Sequence, residues 1–155
     1  MPTKPTTADA DLILKLYDAR REAEMRKARQ WWTGTFWPTT VDDVLQVMRA
    51  SGQENAWYRQ VLGYWNMAAS FVLHGALNED LFLELSFSGE MYLIYAKLQP
   101  ILKELREKTQ NPLLVANIEK LITGSKTGRE RLAQMRKNVE NRRKALAEAP
   151  AAKAS

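Results

Sequence analysis

The sequence predicts an all-α, single-domain bundle of six to seven helices with a central apolar helix and a basic C-terminal helix. Three observations predict it. Apolar residues recur at helical spacing in segment after segment. No segment alternates with period two, so no strand is expected. Capping residues, glycines and prolines punctuate the chain at intervals that suit helices. The 155 residues suit one domain, and the 45% hydrophobic content supplies a core.

Residues 1–7 are polar, contain two prolines and are expected to be disordered. A first helix is expected from Ala8 to Trp32, capped by Thr7, with Asp9 and Asp11 at the positive end of its dipole. Leu12, Leu16, Ala19 and Ala23 form a narrow apolar stripe, which suits a peripheral helix. Gly34 and Pro38 break the chain. Thr40 and Asp43 then have capping-box spacing before Val41, Val44, Leu45 and Met48.

The third helix, Gln53 to His74, is nearly all apolar. No formally charged residue falls between Arg59 and Glu79, so this helix must be surrounded. Gly75 ends it, and Asn78 caps a short fourth helix. Ser86 to Gly89 reads as a turn, with Ser88 capping a fifth helix from about Glu90 to Lys108. Pro100 inside that helix should kink or break it near Gln99. Asn111-Pro112 opens a sixth helix that Gly124 stops. Thr127 and Glu130 have capping-box spacing for a last helix that extends to about Glu148. The domain boundaries are therefore 8–124 for the bundle and 125–148 for the basic helix, with 149–155 a disordered tail.

Charge is distributed unevenly. The net charge is +5. From Ser125 onward nine Lys and Arg face three Glu, so that segment carries +6 and the preceding chain −1. Cysteine is absent, which excludes disulfides, thiol nucleophiles and Cys-based zinc sites. No apolar stretch reaches the roughly 20 residues that span a bilayer, and no signal peptide is evident. A cytoplasmic protein without an integral membrane segment is expected.

Candidate functional residues fall in two groups. Trp31, Trp32, Phe36 and Trp37 crowd into seven positions and suit a protein-binding hot spot or a cap on the core. Arg129, Arg136, Lys137, Arg142, Arg143 and Lys144 suit phosphate contacts. The same helix carries a thin seam of Leu132, Met135, Val139 and Leu146, which suits packing on the bundle or on a second copy. A weaker candidate is a small-molecule pocket among Trp57, Tyr64, Trp65, Tyr92 and Tyr95. Gly124-Ser125-Lys126-Thr127-Gly128 lacks the glycine spacing and preceding strand of a phosphate loop. His74 has no Glu-Xaa-Xaa-His partner, and Glu84 and Glu90 carry little signal as an acid/base pair. No catalytic, cofactor-binding or metal site is predicted.

Tyr64, Trp65, Gly75, Leu77, Asp80, Tyr92, Pro100 and Arg106 carry a resemblance. Over Val61 to Ile122 the chain resembles a family of uncharacterised bacterial all-helical domains of unknown function, often found after a transmembrane helix. The resemblance implies an all-helical domain and brings no activity. The function expected is a non-catalytic helical interaction or scaffold domain, binding a protein partner or itself. Nucleic-acid or ribosome association through the basic C-terminal helix is the alternative.

Overall fold

The computed structural model describes residues 3–149. Eight α-helices and one π-helical turn make up the described chain: α1 Thr7–Ala19, α2 Ala23–Gln30, the π-turn Trp31–Thr35, α3 Val41–Arg49, α4 Gln53–Leu73, α5 Glu79–Phe82, α6 Leu85–Thr109, α7 Ala116–Thr123 and α8 Lys126–Glu148. The expected all-α bundle is present as a single domain.

Several boundaries follow the sequence signals. Thr40 and Asp43 form the reciprocal capping box at α3. The backbone N–H groups of Thr39 and Thr40 also hold the Asp43 carboxyl below its ordinary pKa. Gly75 takes the left-handed conformation, at φ 78°, that closes α4, while the Ala76 N–H reaches back to the Phe71 carbonyl. Asn78 caps α5 through the Leu81 N–H.

Tertiary contacts override the local signals elsewhere. The cap of α1 is Thr6 rather than Thr7, in a capping box with Asp9. Residues 3–7 are held in place, because the Asn78 side chain donates to the Thr3 carbonyl and its N–H to Asp9. Met1 and residue 2, like residues 150–155 of the expected tail, lie outside the described residues. The expected first helix is two helices. At the break Arg20 turns inward, donates to the Phe87 carbonyl and stacks on the Tyr17 and Phe87 rings. Glu22 then caps α2.

The expected turn at 86–89 is helix, because α6 starts at Leu85 so that Phe87 can pack against Trp65 and Phe82. Pro100 does not break α6, which continues to Thr109. The sixth helix begins at Ala116, four residues after Pro112. Val115 sits at φ 61° immediately before it, a costly conformation for a β-branched residue. Arg106 accounts for this geometry. It donates twice to the Leu114 carbonyl and pairs with Glu119 across the turn. The cap of α8 is Ser125 rather than Thr127. A Cβ on Gly128 would lie 2.1 Å from the Ile122 carbonyl oxygen, so the two glycines of 124–128 serve the tight α7–α8 turn.

Helix α4 occupies the centre, packed on α2, α3 and α7. Helix α6 packs on α3, α7 and α8. The two meet through large side chains: the Trp65 ring lies 5.5 Å from Phe87, and its indole N–H donates to Glu90. Glu90 also binds Arg29 at 2.8 Å and is nearly buried. One acid therefore ties α2, α4 and α6 together.

Candidate functional site

The aromatic group at 31–37 belongs to the core. Trp31, Trp32 and Phe36 are buried and Trp37 is half-buried. Trp31 stacks on Phe36 at 4.4 Å, and Trp32 stacks on Tyr58 of α4 at 5.5 Å. Three of the four rings are core and Trp37 keeps only part of its surface, so the group fits the core-capping expectation better than the hot-spot one. The π-turn seats both Trp31 and Trp32 against α4, where Trp31 lies 6.3 Å from Trp57 and Trp32 stacks on Tyr58.

The proposed aromatic pocket is also filled. Tyr64, Trp65, Tyr92 and Tyr95 are buried, and three of them spend their polar groups inside. Tyr64 donates to the Leu16 carbonyl, Trp65 to Glu90 and Tyr95 to Glu119. Burial pushes the Tyr64 and Tyr92 hydroxyls up to about 12. His74 is an exposed C-cap residue of α4, and Glu84 is an exposed residue at the start of α6. Among the described residues no group of three His, Asp or Glu side chains could hold a metal ion.

Sequence reasoning missed the most unusual polar residue. Lys97 is fully buried in the middle of α6. Its ammonium donates to the Trp32 carbonyl and, at 2.8 Å, to the Phe36 carbonyl. It also sits 3.6 Å above the Trp37 ring. Three protons thus meet two carbonyls and an indole face, an arrangement that suits the charged amine. Burial, and next the nearby Arg143, push its pKa the other way, down to about 7. The only sequence signal for this site was a lone lysine within the apolar run from Tyr92 to Leu98.

Helix α8 has two sides. Leu132 and Val139 are buried, and Met135 packs partly against the body. The inner side is fastened further by Arg131 to the Leu83 carbonyl, Arg136 to Gln99 at 2.6 Å, and Arg143 to the Pro38 carbonyl at 2.8 Å. Arg129 turns back to the Thr123 carbonyl. The apolar seam is consumed by the bundle, so it is not free for a second copy, apart from Leu146 at 40% exposure. The six basic candidates therefore divide. Arg129, Arg136 and Arg143 hydrogen-bond within the chain. Lys137, Arg142 and Lys144 are exposed, and no ion pair among the described residues involves them. Lys137, Asn141 and Lys144 recur at helical spacing along the outer face, with Gln134 and Asn138 beside them, while Arg142 stands on the opposite flank from the two lysines.

A family model described as a domain of unknown function (DUF4760) matches residues 5–125. The chain belongs to this family of domains of unknown function. The match ends where α8 begins, so the basic helix stands beyond it. No curated protein and no solved structure matches the chain. No helix among the described residues is long and apolar enough to cross a membrane.

Proposed function

We propose that this protein is a non-catalytic interaction domain whose contact face is the outward side of α8, and that its partner is the phosphate backbone of a nucleic acid. The carrying observation is the division of α8 into a fastened inner side and an outer side with two unpaired lysines, with a third unpaired cation, Arg142, on the far flank. That outer face carries Lys137 and Lys144 with Glu140 between them and polar amides beside them, and no aromatic anchor of the kind protein hot spots use; Arg142, two residues from Lys144, stands on the opposite flank of the helix. Lys137 and Lys144 lie about 10 Å apart along the helix at 1.5 Å per residue. Cations so placed suit a repeating anion more than a single carboxylate.

The test is fluorescence anisotropy of a labelled 20-base-pair duplex, recorded across a range of salt concentrations. Wild type is expected to bind with a steep salt dependence. The combined substitution K137Q/R142Q/K144Q should weaken binding at low salt and reduce the slope of log K against log salt by about 2, near one for each lysine of the outer face. An unchanged slope in a folded triple variant would overturn the proposal.

A further inference from the structure

A cleft of about 310 Å³ opens between α6 and α8 beside the 38–39 linker, on the flank of α8 rather than on its outer face. Its apolar walls include Pro38, Pro100, Ile101 and Val139. Its charged lining is Lys97, Arg136, Arg143 and one acid, Glu140. We propose that this cleft binds a small organic oxyanion, a carboxylate or phosphate head group on an apolar body, with Arg143 and Arg136 as its ligands. It is a site separate from the nucleic-acid face and does not depend on that reading.

Charge accounting carries the argument. Lys97 and Arg143 lie on the same Trp37 ring, with the Lys97 nitrogen at 3.6 Å and the Arg143 guanidinium carbon at 6.0 Å from its centre. Lys97 is fully buried and Arg143 partly buried, and no ion pair among the described residues reaches either of them. Glu90 on α6 is the acid that acts on Lys97 through space, and its carboxylate is already paired with Arg29. Two neighbouring basic groups, one fully and one partly buried, repel each other when both are charged, and an oxyanion in the adjoining cleft would offset that cost.

Hydrogen bonding points the same way. One terminal nitrogen of Arg143 binds the carbonyls of Pro38 and Lys97. The other, Nη1, is buried with no partner in the protein. Arg143 lines the cleft, so a turn of its guanidinium would bring this unpaired N–H to a bound oxyanion, and guanidinium groups match carboxylate and phosphate geometry. Arg136 donates through Nε to Gln99, which fixes its side chain at the rim and leaves its terminal nitrogens for a ligand. The volume lies at the small end of ligand pockets and suits a single ring or short chain. Glu140 at the rim opposes an anion, which makes it a second handle on the site.

Calorimetric titrations with inorganic phosphate, phenyl phosphate and benzoate test this, with the Trp37 indole N–H resonance as a local reporter. Saturable binding is expected for phenyl phosphate or benzoate, tighter than for inorganic phosphate because the apolar walls contribute. Which of the two binds more tightly identifies the head group. Arg136→Gln should weaken binding about tenfold, the scale of one charge-assisted hydrogen bond. Glu140→Gln should tighten it about twofold to threefold. Both residues are exposed, so both variants should fold. The triple variant K137Q/R142Q/K144Q should leave this binding within about twofold of wild type, so the two proposals fail independently. The inference is overturned if none of the three ligands saturates below about 10 mM, or if neither Arg136→Gln nor Glu140→Gln alters binding.

Discussion

The family-matched body and helix α8 use charge in opposite ways. In the body, a few charged side chains turn inward and act as ties while most others stay at the surface. Glu90 joins Arg29 to Trp65, Arg106 holds the Leu114 carbonyl and Glu119, and Lys97 gathers the carbonyls of the π-turn. In α8, eight Lys and Arg face three Glu, and part of that charge stays outside. The difference teaches that net charge is a poor guide to where a protein can bind. Arg143 is as basic as Lys144, yet the first anchors the helix to the bundle while the second faces solvent.

The comparison would be broken most directly by cutting the chain after Ser125. If α8 were an independent appendage, the body would survive. The packing argues otherwise, since Leu132 and Val139 are buried and Arg143 closes over Trp37. Burying each aliphatic side chain contributes about 1.5–3 kcal/mol. Truncation should therefore cost on the order of 5 kcal/mol, enough to unfold a marginal domain. Chemical denaturation of the truncated chain would measure this. A loss below about 1 kcal/mol would make α8 a detachable module. The same argument makes point substitutions, rather than truncation, the right probe of nucleic-acid binding.

The inward ties can be tested at Glu90. Glu90→Gln removes the charge that faces Arg29 while keeping an acceptor for the Trp65 N–H. Breaking a largely buried pair costs about 3–5 kcal/mol, and the partial exposure of Arg29 moves the expectation to the low end, about 3 kcal/mol. Urea unfolding should show the midpoint fall at an unchanged slope. Substituting the exposed Glu148 in α8 should cost less than about 0.5 kcal/mol by the same measure.

Lys97 sharpens the contrast through pH. Its pKa is about 7 in the folded protein against an ordinary 10.5, so between these values the unfolded chain binds more protons. Stability should rise as the pH increases from about 7 toward 10, provided the lysine sheds its charge as burial and Arg143 demand. Above pH 10 the buried tyrosines reverse the trend, because they ionise more readily once unfolded. Lys97→Met should flatten the rise between pH 7 and 9.5. It should also lower stability at pH 7, since the Trp32 and Phe36 carbonyls lose their donor. A stability that is flat over this range in wild type would show that the two carbonyls and the indole ring hold the ammonium against burial.

How much of this was legible depended on whether the controlling contact was local. The Thr40–Asp43 box, the Gly75 stop and the apolar run of α4 are set by neighbours in sequence, and each was read correctly. The break at Arg20, the early start of α6 and the late start of α7 are set by Phe87, Trp65 and Arg106, whose partners lie elsewhere in the fold. No periodicity contains that information. The tryptophan cluster was visible as composition, but its side of the surface was not, because its partners Trp57, Tyr58 and Lys97 lie elsewhere in the fold. The cleft at Arg143 was illegible for the same reason. It needs α6, α8 and residues 38–39 together, and the sequence presents Arg143 as one of three consecutive cations.

The smallest expected effect on stability bears on the outer face of α8. Lys137→Gln, Arg142→Gln and Lys144→Gln each remove an exposed cation that no hydrogen bond or ion pair among the described residues holds in place. Each should change stability by less than about 0.5 kcal/mol, since exposed charges away from packed features contribute little. Arg143→Gln differs from Arg142→Gln by one position and should cost about 1.5–3 kcal/mol, the range for hydrogen bonds to a charged group. The pair is therefore an internal control within one helix, read by thermal unfolding at moderate salt. If Arg142→Gln proved as costly as Arg143→Gln, the division of α8 into a fastened and a free side would fail. The assignment of its outer cations to binding rather than folding would fail with it.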